Sequence, residues 1–152
     1  MTEPTKVPAV YAARAELRKA VGTVGKDSRN TNQGWQFRGI DALQAAFLAA
    51  LNSKGNLDFE VSYKLIQAVP NDSGKGYSAW VVGKLTFISL EDGSQVSFTA
   101  VGHGTDPGDK ATNKAMSAAL KYLLGHGLGI PVIGLSDDGD KESPVALVNG
   151  AK

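Results

Sequence analysis

Three lysines and a serine stand at helical spacing toward the C-terminal end of the chain: Lys110, Lys114, Ser117 and Lys121. At about 100° per residue they share a stripe roughly 60° wide, and the 1.5 Å rise per residue makes that ridge about 16 Å long. Ammonium groups stacked at i, i+4 repel one another, so a ridge of one sign needs a reason. On this helix only Asp106 and Asp109, near its start, offset the charge. Lys114 and Lys121 have no acid within a turn, although a neighbouring strand could supply one. Such a ridge suits a track for successive phosphates, which lysines hold without reading the bases. The alternative is a solvated face on which three lysines meet by chance.

The segment ahead of this ridge, Gly102-His-Gly-Thr-Asp-Pro-Gly-Asp-Lys110, offers two other chemistries. Strand, glycine-rich turn and helix is the right order for cradling an anion, which would make a nucleotide- or anion-binding domain. The phosphate-loop pattern, however, needs Gly-Lys-Ser/Thr in succession, and here Asp109 separates Gly108 from Lys110. Asp106 and Asp109 would also repel a triphosphate. His103, Asp106 and Asp109 could instead gather a metal ion, but helix capping accounts for both aspartates without one. The chain has no cysteine, which excludes disulfides, thiolate zinc sites and a cysteine nucleophile. The second histidine, His126, sits in a glycine-rich helix end and builds no Ser-His-Asp arrangement. No pattern here is that of an enzyme, and no cofactor is called for. A structural assembly module without a nucleic-acid role is the remaining alternative.

The elements that must position the ridge follow from hydrophobic periodicity. Val10, Ala13, Leu17, Ala20 and Val24 mark one face of a first helix. Residues 22–34 are polar and glycine-rich and contain Lys26 and Arg29. They form either a mobile loop that touches a polyanion or a solvated linker. Asp41 suits the N-cap of a second helix, with Gln44 completing a capping box. Ile40, Leu43, Phe47 and Leu51 are its buried stripe, and Gly55 is its stop.

The period then changes to two. Phe59, Val61, Tyr63 and Leu65 alternate with polar residues in a first strand, and residues 77–90 form a second, with Gly83 a bulge or bend. Asp92-Gly93 supplies a hairpin turn into a third strand over 95–101. The ridge helix is expected from about 107 to 124, capped by Asp106, with Pro107 in its first turn. Its smooth side, Ala111, Ala115, Ala118, Ala119 and Tyr122, lies against the sheet. Trp35, Tyr77 and Trp80 are stacking platforms or packing residues; Trp80 is expected in the core, and Trp35 stays open.

The fold class is therefore α+β: a three-stranded antiparallel meander packed by a long helix, a β-β-β-α core, with two preceding helices. The 152 residues suit one domain. Residues 1–135 carry 14 Lys and Arg against 11 Asp and Glu, whereas residues 136–152 carry two against four. A mildly basic body thus precedes an acidic tail, expected to be disordered. No apolar run approaches the roughly 18–20 residues that span a bilayer, and the N-terminus lacks a signal-peptide pattern. A soluble intracellular protein with no membrane partner is expected.

Two stretches resemble a known family. Trp35-Gln-Phe-Arg-Gly-Ile-Asp41 is similar to the aromatic-Arg-Gly-Ile-Asp signature of the essential recombination function (ERF) family, and Gly104 to Tyr122, with its Gly-Asp-Lys-Ala-Thr-Asn-Lys-Ala run, resembles that family's second motif. The likeness extends from about residue 10 to residue 133, in the family's order. It implies an ATP-independent phage protein that binds single-stranded DNA and anneals complementary strands in homologous recombination. The implied assembly is a homo-oligomeric ring or helix holding DNA, and the annealed duplex intermediate, in a basic groove. Carried over, Lys110, Lys114 and Lys121 line that groove, with Arg38 a further phosphate contact and Arg29 and Lys26 as additional candidates. The family is related in design to the eukaryotic annealing mediators, whose core is likewise β-β-β-α. A phage exonuclease or a host single-strand-binding protein would be a further partner, in the cytoplasm of the infected or lysogenic bacterium. Many members carry an extra C-terminal region for protein contacts where this chain has a short acidic tail.

Overall fold

The computed structural model describes residues 3–22 and 40–130. Trp35, Arg38, Arg29, Lys26, Val24 and the acidic tail lie outside these residues. Helix α1 spans Ala9–Val21 and buries Val10, Ala13 and Leu17, the i, i+3, i+7 stripe of an amphipathic helix; Ala20 is exposed. Helix α2 spans Ile40–Lys54 and buries Leu43, Phe47, Ala50 and Leu51. It begins one residue before Asp41, so that carboxylate lies in the first turn, where it complements the helix dipole, rather than at the expected N-cap. Gly55, at φ +67°, closes the helix by donating its N–H to the Leu51 carbonyl at 3.1 Å.

Strands β1 (Leu57–Pro70), β2 (Tyr77–Ser89) and β3 (Gln95–Asp106) form one antiparallel sheet in the order β1-β2-β3. This is the expected meander. Pairing of β1 with β2 runs from Leu57↔Ser89 to Leu65↔Val81, then shifts by one residue at Ile66 before resuming at Gln67↔Trp80. That bulge ends the clean alternation, and Leu65 and Ile66 are left exposed. Gly93, at φ +72°, makes the β2–β3 turn. Gly83 is paired in register with Tyr63 and Ala100, so it is not a bulge. Its missing side chain leaves room for Leu123 and Ala119.

The helices lie on the face of the sheet that holds Ala79, Val81, Leu85 and Phe87. At one end α1, α2 and the chain after α3 enclose large side chains. Phe47 meets Phe59 edge-on at 5.2 Å and Phe87 at 6.0 Å, and Phe87 meets Phe98 at 6.1 Å. At the other end helix α3, Ala111–Tyr122, packs Ala111, Ala115 and Ala119 on Ala79 and Val81. The last turn of α3 widens into a π-type turn over Leu123–Gly127, and the Ile130 N–H reaches the Gly125 carbonyl at 2.9 Å. Leu123, Leu124, Leu128 and Ile130 thereby return to the large core. No described helix is long and apolar enough to cross a membrane.

Candidate nucleic-acid interface

The lysine-bearing helix sits unusually close to its sheet, and the glycines of β3 are the cause. Methyl groups built at Gly102 and Gly104 would overlap the carbonyl oxygens of Ala115 and Ala111 respectively, and would also crowd the Ala119 and Ala115 nitrogens. Both glycines are fully within β3 and buried. The segment from Gly102 to Asp106 is therefore strand, not the glycine-rich loop expected from its composition. Glycine is disfavoured in strands for want of a side chain to pack; here its absence of a side chain is what lets the backbone of α3 lie on β3. Ala111, Ala115 and Ala119 recur every four residues along that contact.

The link from β3 to α3 is organised by Asp106. Its Oδ2 accepts the N–H groups of Gly108 at 2.8 Å and Lys110 at 3.2 Å. The helix starts at Ala111, four residues later than the sequence suggests, and Lys110 is its N-terminal flank without a side-chain cap. Asp106 still performs a capping function, but on the turn rather than on the helix itself. Its other oxygen, Oδ1, lies 2.6 Å from the Lys114 ammonium, which also donates to the Thr105 carbonyl at 3.2 Å. Lys114 is thus ion-paired, although no acid lies within a turn of it on the helix: the partner comes from the end of the strand, eight residues earlier, the source that the sequence left open. The Lys114 ammonium and the two turn N–H groups hold the Asp106 carboxyl at about 2, below the usual carboxylate value of 3.8.

This arrangement bears against two other readings of the same residues. Two of the turn N–H groups that would cradle a phosphate, those of Gly108 and Lys110, already have a carboxylate as their acceptor, which weakens the nucleotide-loop alternative. His103 and Asp106 occupy opposite-facing positions of β3, one exposed and one buried, and cannot converge on a metal ion with Asp109. Among the described residues no group of three such side chains does so.

On its outward side α3 borders an open groove of about 370 Å³, lined by Lys110, Asn113, Lys114, Ser117, Ala118 and Lys121, with Ile40 of α2 contributing the other wall. The ridge predicted from helical spacing is therefore assembled in one place. Lys110 and Lys114 are exposed and Lys121 is half-buried, with the Lys121 ammonium 5.4 Å from the ring centre of Tyr122. Tyr122 is 38% exposed rather than turned onto the sheet as expected. Asn113 was not singled out by charge, yet it borders the ridge by the same helical count that places Lys110 and Lys114. Ile40 was assigned to the buried stripe of α2 and is only half-buried, because it faces this groove. It lies two residues after Arg38 in the sequence.

Trp80 does not join the core as expected. It stands on the sheet face opposite α3, half-buried, stacked on its cross-strand partner His103 with ring centres 4.5 Å apart. It is not part of the groove. Tyr77 is 53% exposed at the start of β2.

The sheet, the glycine–alanine contact and the outward groove all lie within the span over which the chain matches a family model. No individual curated protein matches the chain. The model that does match covers residues 10–145 and is that of the ERF superfamily, to which this chain belongs.

Proposed function

We propose that the protein binds single-stranded DNA along the α3 groove and anneals complementary strands, without ATP, in phage homologous recombination. The observation that carries this reading is the convergence of Lys110 and Lys121 with Asn113, Ser117 and the ion-paired Lys114 on one groove, in a chain of the ERF superfamily. Annealing requires a grip on the backbone that leaves the base edges free to test a partner. Lysine contacts to phosphate position a strand and carry no sequence information. Amide and hydroxyl groups from Asn113 and Ser117 add neutral hydrogen bonds to phosphate oxygens. Arg38, two residues before a residue of the groove wall, is a further phosphate contact in this reading; Arg29 and Lys26 in the preceding segment extend it.

One protomer has too little charge to hold a long strand tightly, and repetition of the groove around a homo-oligomer supplies affinity by multivalency. Among the described residues β1 and β3 each leave an unpaired edge, and closure into a ring or stacking into a helix would protect both. The product held is the annealed duplex intermediate. A phage exonuclease that generates single strands, or a host single-strand-binding protein, is the partner this role calls for, in the cytoplasm of the bacterial host. Residues 1–135 form the annealing domain in this reading, with the acidic residues 136–152 as a tail. The role is that of an annealing protein rather than an enzyme.

The test mixes two complementary labelled oligonucleotides with the protein in the absence of ATP and follows duplex formation across a salt series. Acceleration that fades as salt rises is expected, because phosphate neutralisation makes affinity fall linearly in log salt. The Lys110→Glu/Lys121→Glu variant should fold as the wild type does and lose both binding and acceleration. Failure of the wild type to bind single strands even at low salt would sink this reading.

A further inference from the structure

We infer that Asp106 is a positioning residue that withholds Lys114 from the strand and so limits how tightly the groove grips DNA. The inference rests on the reading of the groove given above. Three observations lead to it. Lys114 lines the groove, yet its ammonium is held by Asp106 Oδ1 at 2.6 Å and by the Thr105 carbonyl at 3.2 Å. Asp106 is itself immobilised: its second oxygen accepts two backbone N–H groups of the turn, and its side chain is only 12% exposed. The carboxylate therefore cannot follow Lys114 toward a phosphate. The lysine side chain, by contrast, is 51% exposed and flexible.

A phosphate that approaches Lys114 meets a nearly neutral pair rather than a free cation. To offer its full charge, Lys114 must leave an acceptor at charge-assisted hydrogen-bonding distance. Lys110 has no such constraint on its side chain among the described contacts, and its backbone N–H alone is used by Asp106. The groove thus holds two kinds of lysine along the same ridge. A restrained grip suits annealing, in which a strand must stay aligned and still shift register against its complement.

Two variants test this. Asp106→Asn keeps an oxygen acceptor for the Gly108 and Lys110 N–H groups and removes the charge that holds Lys114. It should bind single-stranded oligonucleotide more tightly than the wild type. Its log-affinity against log-salt slope should steepen toward one further phosphate contact per engaged subunit, about 0.7 for single strands. Between 50 and 200 mM salt that is about a 2.6-fold larger loss of affinity per contact. The charge-neutral double variant Asp106→Asn/Lys114→Gln should return to the wild-type slope, because the pair it replaces contributed no net phosphate contact.

Thermal unfolding followed by circular dichroism identifies folded variants, and the slope is a readout that a purely structural role would leave unchanged. If Asp106→Asn binds no more tightly while remaining folded, the inference is overturned. It is equally overturned if the double variant loses about 0.7 of slope, since Lys114 would then already engage DNA while paired. Should Asp106→Asn fail to fold, the double variant decides alone. Wild-type protein that binds no single strand would instead overturn the reading of the groove, and this inference with it; wild-type binding with unchanged variants would overturn the inference only.

Discussion

The covered face of the sheet is packed by opposite means at its two ends. Around Phe87 the space between layers is filled by large side chains: Phe47, Phe59, Phe98, Leu17, Leu124 and Leu128. Around Gly102 and Gly104 there is almost no space to fill, because Ala111, Ala115 and Ala119 set the α3 backbone directly on β3. The first end gains from buried apolar area, which stabilises by roughly 25 cal/mol per Å². The second buries little area per residue and gains position instead: a helix in contact with backbone cannot slide or tilt without collision. The lysine ridge rides on the second end. Stability is thus concentrated where the groove is not, and geometric definition where it is.

Truncation at the large-residue end should have the greatest effect on stability. Phe87 is fully buried and touches two other rings, so Phe87→Ala should cost about 3–5 kcal/mol, measured by urea unfolding. The fraction that remains folded should keep the wild-type salt slope for single-stranded DNA. A loss below about 2 kcal/mol would mean that the aromatic end collapses around the gap, and the division of labour would be weaker than drawn.

Addition at the small-residue end should be milder in stability and more severe in function. Gly102→Ala adds one methyl group against the Ala115 carbonyl and the Ala119 nitrogen. Over-packing costs about 1–3 kcal/mol, and here neither neighbour is a side chain that can rotate aside. The strain is relieved by moving α3 off the sheet, which shifts the whole ridge, Lys110 and Lys121 included, away from the groove wall at Ile40. Strand binding should therefore fall several-fold at a salt concentration where Phe87→Ala protein still binds normally. Equal binding by the two variants would show that the close contact does not set the groove.

What was legible in the sequence divides along the same line. The aromatic end is built from local signals: period two in β1, a 3.6-residue stripe in α1 and α2, and an Asp-Gly turn between β2 and β3. Each was readable because it is decided by neighbours in the chain. The ridge was readable too, since three lysines on one helix face need only a helical count. At the glycine–alanine end the composition predicts a loop entering a longer helix, where the chain instead continues β3 to Asp106 and begins α3 at Ala111. Gly102 and Gly104 have no strand preference of their own, and Thr105, although β-branched, cannot alone outweigh a glycine-rich composition; a helix lying on them makes them strand. The Lys114–Asp106 pair joins two elements, so no count along one helix could find it. Residue type predicts Trp80 in the core, while its register with His103 puts it on the other face.

The two aspartates at the ends of the β2–β3 hairpin give the comparison its finest test. At the alanine end Asp106 fixes the turn before α3. At the aromatic end Asp92 does the corresponding task for α1, from 83 residues away: its Oδ2 accepts the Ala9 N–H at 2.9 Å, and Ser94 Oγ accepts the Val10 N–H at 3.1 Å. The N-terminus of α1 is thus capped by a hairpin turn rather than by its own flank, where Pro8 offers no side-chain acceptor. The Ala9 N–H, with the Ser94 hydroxyl and N–H, holds the Asp92 carboxyl well below the usual carboxylate range. Because the folded-state value is depressed, the stabilisation is present above the unfolded value near 3.8 and is lost as pH falls toward the folded value. Asp106, at about 2, gives up its share between about pH 4 and pH 2, and Asp92 gives up its share further into acid. Asp92→Ala should therefore lower the melting temperature by a few degrees at neutral pH. The gap to the wild type should hold steady down to about pH 4 and narrow only below it. Its salt slope for single-stranded DNA should match the wild type, since α1 carries no groove residue. A variant that loses strand binding through Asp92 alone would mean that the two ends of the sheet are mechanically coupled, and that the precise seating of α3 depends on the aromatic end as well.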